Sequence, residues 1–277
     1  MLRKLTVLGP GLLGGSIGLA ARHSKLAGNV TVWARRPEAA EEAYKLGAAA
    51  EATTDLHRAV ADAELVVLAV PIGAMPALAK QIPAECIVTD VGSVKYPVVT
   101  ALSDLLPRFV GSHPMAGSEQ SGIEAARRDL FEGAVCIVTP RQDTDQAALR
   151  TVHDFWKAIG CNVRTLSPEA HDEIVARISH LPHVVAAALV SAVCHDGEQK
   201  LGFAGPGFKD TTRIASGPVE MWTEICMENR HEIGRALDEL MEELGGVRAA
   251  LENADAIELR AMLKRAKHLR DELRFRT

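Results

Sequence analysis

Short runs of branched apolar residues alternate with stretches of helical composition through the first 166 positions of this 277-residue chain. Residues 5–8, 30–33, 65–70, 87–90 and 109–112 are apolar and rich in branched residues, which is how strands buried on both faces of a parallel sheet read. Between them, residues 11–23, 37–46, 74–81 and 95–106 have helical composition. Two further strands are expected at 134–139 and 162–166, joined by a crossover helix over 145–159. This is the alternation of a doubly wound sheet.

The pattern changes after Leu166. Ser167-Pro168-Glu169 is a helix start, with Ser as the cap and Pro as the first helical residue. A long helix follows over 170–193, then a second over 219–244 that Gly245-Gly246 is expected to stop. Residues 247–274 read as helical, with a break near Asn253–Asp255. No strand is expected beyond Leu166, so the boundary is placed there, giving domains 1–166 and 167–277. The 170–193 helix is apolar enough, through Ala186–Ala188, Leu189, Val190 and Val193, to need cover on nearly all sides. A homodimer sharing the helical domain supplies that cover; the centre of a monomeric bundle is the alternative.

Leu8-Gly9-Pro10-Gly11-Leu12-Leu13-Gly14 places G-x-G-x-x-G directly after a strand and at the opening of a helix. Gly9 permits the tight turn, Gly11 lets the backbone approach a pyrophosphate, and Gly14 lets helix and sheet pack closely. The N–H groups at the helix start, Leu12 and Leu13 included, then face the phosphates. In this context the motif marks a Rossmann-like dinucleotide-binding domain. It is not a P-loop, because Gly14-Gly15-Ser16 lacks the lysine. The second strand ends Trp33-Ala34-Arg35-Arg36-Pro37, where an NAD site would carry Asp or Glu for the ribose hydroxyl. Two arginines there suit a 2′-phosphate, so NADP is expected over NAD; solvated loop charges are the alternative. Val70-Pro71 and Asp90-Val91-Gly92-Ser93 end the next strands at the edge where the cofactor would pass. Ser93 either hydrogen-bonds nicotinamide or substrate, or caps the following helix.

Composition narrows the partners. The net charge of −5 argues against nucleic acid, which needs a basic face. Five scattered cysteines without C-x-x-C fit reduced thiols of a cytoplasmic protein better than disulfides or a zinc site. No signal peptide and no apolar run of membrane-spanning length is read, so no membrane partner is expected.

The candidate chemistry begins at Gly111-Ser112-His113-Pro114, running on to Gly122. A histidine among turn residues is expected on a loop, with a pKa suited to proton transfer. His180 and His183, three apart, share one face of the long helix; a metal site would need further ligands, and none is assigned. In Gly205–Arg213, read as a Gly-rich loop, Arg213 can clamp a carboxylate or pair with Asp210.

These motifs, in order, resemble the prephenate and arogenate dehydrogenases of tyrosine biosynthesis. The resemblance rests on 9–14, 90–95, 111–122, 179–183 and 207–213, with Trp222 beyond, and covers nearly the whole chain. It implies a Rossmann-like domain followed by an all-helical dimerisation domain, and NADP-dependent oxidative decarboxylation of prephenate to 4-hydroxyphenylpyruvate. By that similarity His113 accepts the proton of the ring hydroxyl, Ser93 holds hydroxyl and nicotinamide, and Arg213 binds a substrate carboxylate. His180, His183 and Trp222 would surround the substrate, Ser118 and Glu119 would face its side chain, and Asp210 would position neighbours. Arogenate as substrate, or acceptance of both, is the nearest alternative, with Glu119 favouring the ammonium or shaping the pyruvyl pocket. Many members carry an acidic residue where this chain has Ala34-Arg35-Arg36, which puts NAD preference in doubt. Two other classes are weighed: a β-hydroxyacid dehydrogenase, which would need Lys209 as its catalytic lysine, and a nucleotide-sensing module, which would lack His113.

Overall fold

Eight strands, β1 (Leu2–Leu8), β2 (Ala27–Trp33), β3 (Glu51–Thr53), β4 (Leu65–Leu68), β5 (Ile87–Asp90), β6 (Phe109–Pro114), β7 (Val135–Thr139) and β8 (Asn162–Thr165), form one sheet ordered β3-β2-β1-β4-β5-β6-β7-β8. The computed structural model describes residues 1–117 and 120–272. All strand pairs are parallel except β6–β7, which is antiparallel with His113 opposite Ile137. All four residues of β4 are fully buried. Leu65 and Val67 join one apolar cluster with Leu5, Val7 and Ile17, while Val66 and Leu68 join another with Leu8 and Val88. The alternation follows the pleat and places a core on each face. The helices α1 (Leu12–His23), α2 (Pro37–Lys45), α3 (Leu56–Val60), α4 (Met75–Ala79), α5 (Tyr96–Ser103) and α6 (Gln146–Ala158) alternate with these strands. The edge strand β3 was not expected. It is three residues long with none buried, so it has no apolar run to read.

Beyond β8, every regular element among the described residues is helical. α7 (Pro168–Val175) starts as the sequence predicts, with Ser167 Oγ accepting from Ala170 N at 3.2 Å. It continues through a π turn, Ala176–His180, into α8 (Leu181–Val193). Pro182 explains the turn: its ring would clash with the carbonyl four residues back in a regular helix, and widening the turn relieves this. Within this chain α8 buries only His183 and Ala186, so the single chain does not itself supply the cover that the apolar sequence calls for. Ile174 and Ile178, on the same continuous helix, are exposed.

That helix, Pro168–Val193, is by length and composition apolar enough to cross a membrane, contrary to the expectation of no such run. Its buried His171 and Asp172, however, are hydrogen-bonded to groups on and beside the sheet. Ionisable anchors of this kind belong to a folded core rather than to lipid.

The chain next forms α9 (Pro206–Thr212), α10 (Val219–Glu228), α11 (Arg230–Glu252) and α12 (Ala256–Asp271). Two expectations fail here. The 205–213 segment is helical, with Gly205 at its start, rather than a loop. The helix expected over 219–244 instead breaks at Asn229 and resumes straight through Gly245-Gly246. Gly246 serves packing: a Cβ there would lie 3.1 Å from Met262 Cε of α12, whereas nothing lies within 4 Å of one on Gly245. The break at Asn253–Asp255 is present, with Ala254 at φ +51° and Asp255 capping α12 through Ile257 N and Glu258 N. By compactness the chain forms two units, Met1–Asn229 and Arg230–Thr277. Every site residue described below lies in the first.

Candidate active site

At the carboxyl edge of the sheet, Gly9 N donates to the Trp33 carbonyl at 3.0 Å, drawing the glycine loop beside the end of β2. Gly9 sits at φ +105°, and a Cβ there would lie 2.3 Å from the Ala69 carbonyl oxygen. At Gly14 a Cβ would lie 1.9 Å from the Gly9 oxygen. At Gly11 nothing lies within 4 Å of an added Cβ, so the backbone faces open space. The start of α1, with Leu12 and Leu13 in its first turn, has no side-chain cap and no carboxylate. This arrangement fits a pyrophosphate. Val70 flanks the loop, its Cγ1 2.9 Å from the Cβ position at Gly9, and Pro71 is exposed beside it. Arg35 and Arg36 are both exposed where β2 hands over to α2, Arg36 as the cap residue.

The helical segments reach the same edge. Glu224 of α10 accepts from Ile72 N at 3.1 Å and Gly73 N at 2.6 Å. Asp172 of α7 accepts from Lys95 N at 2.7 Å and Tyr96 N at 2.8 Å, so its carboxylate caps α5. This answers one open question: Lys95, not Ser93, is the cap residue of α5, and half-buried Ser93 stays at the strand edge. Beneath it lies a fully buried ion pair, Lys95 Nζ with Asp90 Oδ2, and Lys95 also donates to the Ser112 carbonyl at 3.0 Å.

His113 is the penultimate residue of strand β6 rather than part of a loop, buried at 7% exposure. The antiparallel pairing with β7 is what fixes it. Its Nδ1 is 2.9 Å from Nε2 of fully buried His171, whose Nδ1 is 2.7 Å from Asp172 Oδ1. Burial, reinforced by repulsion from His171, Lys95 and His180, pushes the His113 pKa well below its ordinary value. His171 is lowered to about 2 by burial and by Lys95 and His180. His180 is lowered to about 4, burial outweighing the pull of Asp172 and of the Ser93 backbone. Burial raises Asp172, against the hydrogen bonds from the Lys95 and Tyr96 amides. Three neutral imidazoles therefore meet at neutral pH.

His180 and His183 both face Trp222, with ring centroids at 6.2 Å and 3.5 Å, the second pair stacked. His180 Nε2 and His183 Nδ1 are buried without a hydrogen-bond partner. Asn229 Nδ2 lies 3.1 Å from His180 Nδ1 and donates to the Asp172 carbonyl at 2.9 Å.

The structure thus brings His113, His180, His183 and Trp222 into one network. It leaves Asp210, Lys209 and Arg213 exposed on α9 and the turn that follows. Ser118 and Glu119 lie outside the described residues. Sequence reasoning missed His171, Asp172, Lys95 and Asn229. His171-Asp172 follows a helix cap and resembles solvated first-turn residues, while Asn229 reads as one polar position in a continuous helix. Among the described residues no group of three or more His, Cys, Asp or Glu side chains is arranged to hold a metal ion.

Two family models match: prephenate dehydrogenase, nucleotide-binding domain, over residues 17–165, and prephenate dehydrogenase, dimerization domain, over 167–265. The chain belongs to the prephenate dehydrogenase family. It is 36% identical to a prephenate dehydrogenase of Bacillus subtilis, over 98% of this chain and 76% of that protein. A cyclohexadienyl dehydrogenase of Zymomonas mobilis is 32% identical, over 91% of this chain and 90% of its own length. The crystal structure of prephenate dehydrogenase from Aquifex aeolicus with hydroxyphenyl propionate and NAD+ superposes with a TM-score of 0.94 at 34% identity, covering 99% of both chains. Members of this family are dinucleotide-dependent oxidoreductases acting on a small molecule, and the glycine loop here has the geometry for that cofactor.

Proposed function

We propose that this chain catalyses the NADP-dependent oxidative decarboxylation of prephenate to 4-hydroxyphenylpyruvate. The observation that carries the reading is His113: a neutral, buried imidazole at the cofactor edge of the sheet, in a chain of this family. Prephenate is a cyclohexadienol with two carboxylates. The bound nicotinamide supplies the acceptor for the hydride that leaves the carbinol carbon. His113 takes the hydroxyl proton, and general-base help of this kind contributes about 10²–10⁴-fold. Loss of CO₂ then aromatises the ring. Ser93 at the strand edge orients the hydroxyl, and His180, His183 and Trp222 wall the ring. Arg213, on a turn packed against α8, meets a carboxylate. The family resemblance assigns Ser118 and Glu119, outside the described residues, to the substrate side chain, and Asp210 to positioning its neighbours. Gly9, Gly11, Leu12, Leu13, Gly14, Val70 and Pro71 hold the dinucleotide.

Arg35 and Arg36 support NADP: both are exposed beside the glycine loop, and among the described residues neither forms an ion pair. Residues 1–166 serve as the dinucleotide-binding domain and 167–277 as the helical substrate and dimerisation domain. The exposed apolar side of Pro168–Val193 supports a homodimer, and the free cysteines support a cytoplasmic location. Arogenate is the second reading, favoured by the similarity to a cyclohexadienyl dehydrogenase.

The test is nicotinamide reduction with prephenate and with arogenate, each with NADP⁺ and NAD⁺. Turnover of prephenate with NADP⁺ is expected, and His113→Asn should lose most of it while still binding NADP⁺. Turnover with arogenate alone overturns the substrate, and a faster rate with NAD⁺ overturns the arginine reading. No turnover in any pairing, with nucleotide bound, leaves a sensing module.

A further inference from the structure

We propose that Asp172 sets the proton positions of two active-site histidines in opposite senses, through His171 on one side and Asn229 on the other. The mechanistic meaning of this rests on His113 as proton acceptor; the assignment itself rests on hydrogen-bond geometry.

The first arm starts at the Asp172 carboxylate. Its two oxygens accept from the backbone N–H groups of Lys95 and Tyr96, at 2.7 and 2.8 Å. Backbone amides only donate, so the carboxylate is held as an acceptor. His171 Nδ1, at 2.7 Å from Oδ1, therefore carries a proton and donates it. His171 is neutral, which leaves Nε2 with a lone pair. His113 Nδ1, at 2.9 Å from that nitrogen, must then be the donor. The consequence falls on the far side of the His113 ring: Nε2 carries a lone pair and can take a proton.

The second arm starts at the main-chain carbonyl of Asp172. A carbonyl only accepts, so the Asn229 atom 2.9 Å from it is the amide nitrogen. That same Nδ2 lies 3.1 Å from His180 Nδ1, which must accept. The His180 proton is therefore on Nε2, the atom that is buried without a partner. A buried donor without a well-formed hydrogen bond is costly; the Ser93 backbone pulls on this ring without forming one to Nε2, and a substrate oxygen would supply it. One histidine presents an acceptor and the other a donor, each locked by a neighbour that touches no reacting atom. His171, Asp172 and Asn229 are thus positioning residues. The pairing suits a substrate that both gives up a hydroxyl proton and carries anionic oxygens.

The experiment is ¹⁵N NMR of the full-length protein labelled at histidine, with His113→Asn and His180→Asn used to assign the two rings. The expected spectrum has His113 protonated on Nδ1 and His180 on Nε2. His171→Leu removes the acceptor, so His113 should lose its fixed tautomer. Its kcat should fall by about 10²-fold with the KM for prephenate little changed, as for a mis-set catalytic group. His171→Gln, whose amide oxygen can still accept from His113, should recover most of that loss. Asn229→Asp presents only acceptors to His180 Nδ1 and should move the His180 proton there. A wild-type spectrum with His113 protonated on Nε2, or a His113 tautomer indifferent to His171→Leu, overturns the proposal. These spectra are independent of turnover, so an active His113→Asn would sink the proton-acceptor reading without deciding the tautomers.

Discussion

Trp222 lies flat against His183, with ring centroids 3.5 Å apart and planes 9° from parallel. Gly217 makes room for this stack, since a Cβ there would lie 2.5 Å from Trp222 Nε1. A stacked aromatic pair is worth about 0.5–1.5 kcal/mol beyond its buried area. Trp222→Ala should therefore raise the KM for prephenate by about 2- to 10-fold, with a smaller change in kcat. Steady-state kinetics decide it, and an unchanged KM would mean the stack serves only the fold.

The glycine loop separates packing from ligand approach. Gly14→Ala drives a methyl group into the Gly9 carbonyl, so it should lower Tm and weaken nucleotide binding together. Gly11→Ala meets no protein atom within 4 Å, so Tm without ligand should hold while the Kd for NADP⁺ rises at least tenfold. Thermal melts and nucleotide titration of the two variants test the contrast. Equal nucleotide affinity for Gly11→Ala and wild type would place the phosphates elsewhere.

Lys95 and Asp90 form a fully buried ion pair. Lys95→Met strands a buried carboxylate and should cost about 3–5 kcal/mol. The double variant Asp90→Asn/Lys95→Met removes both charges and should recover part of that loss. Denaturant unfolding of the three variants gives the coupling. Losses that simply add would show that the two charges do not depend on each other.

Four histidines of the site, His113, His171, His180 and His183, are shifted down by burial. A histidine buried neutral binds fewer protons folded than unfolded. Its stabilisation is complete above the unfolded pKa of about 6.5 and is lost as pH falls through the folded value. For His180 the window runs from about 6.5 down to about 4, and for His171 down to about 2. Asp172, raised by burial, has the opposite sign and works against the histidines. Between pH 6.5 and pH 5 each strongly shifted histidine should cost about 1–2 kcal/mol. Tm should fall over that range, with a shallower slope in His180→Asn. A flat Tm would mean these imidazoles are not buried neutral.

The sheet was readable because strands such as 65–68 are covered on both faces and so written in unbroken apolar residues. β3 was not, since a half-exposed edge strand of Glu, Ala and Thr carries no such signal. Glycine misled at 245–246, where the helix runs on and the small size of Gly246 admits a neighbouring helix. In the site, residues on turns and strand ends stood out, whereas His171, Asp172 and Asn229 did not. Their work is to hold other side chains through contacts 49 to 77 positions apart in the chain, and no local pattern encodes that separation.

The π turn at Ala176–His180 fixes how the two halves of one helix are phased. Each residue of a regular helix advances the azimuth by about 100°. A π turn holds one residue more than a regular turn, so inserting a further residue there would swing Leu181–Val193 by about that angle against the first half, carrying His183 out of its stack with Trp222 while His171 stayed in place. The long helix therefore behaves as a camshaft with one permitted timing, and lengthening Pro168–Val193 by one residue at the π turn would abolish turnover while every functional side chain remained.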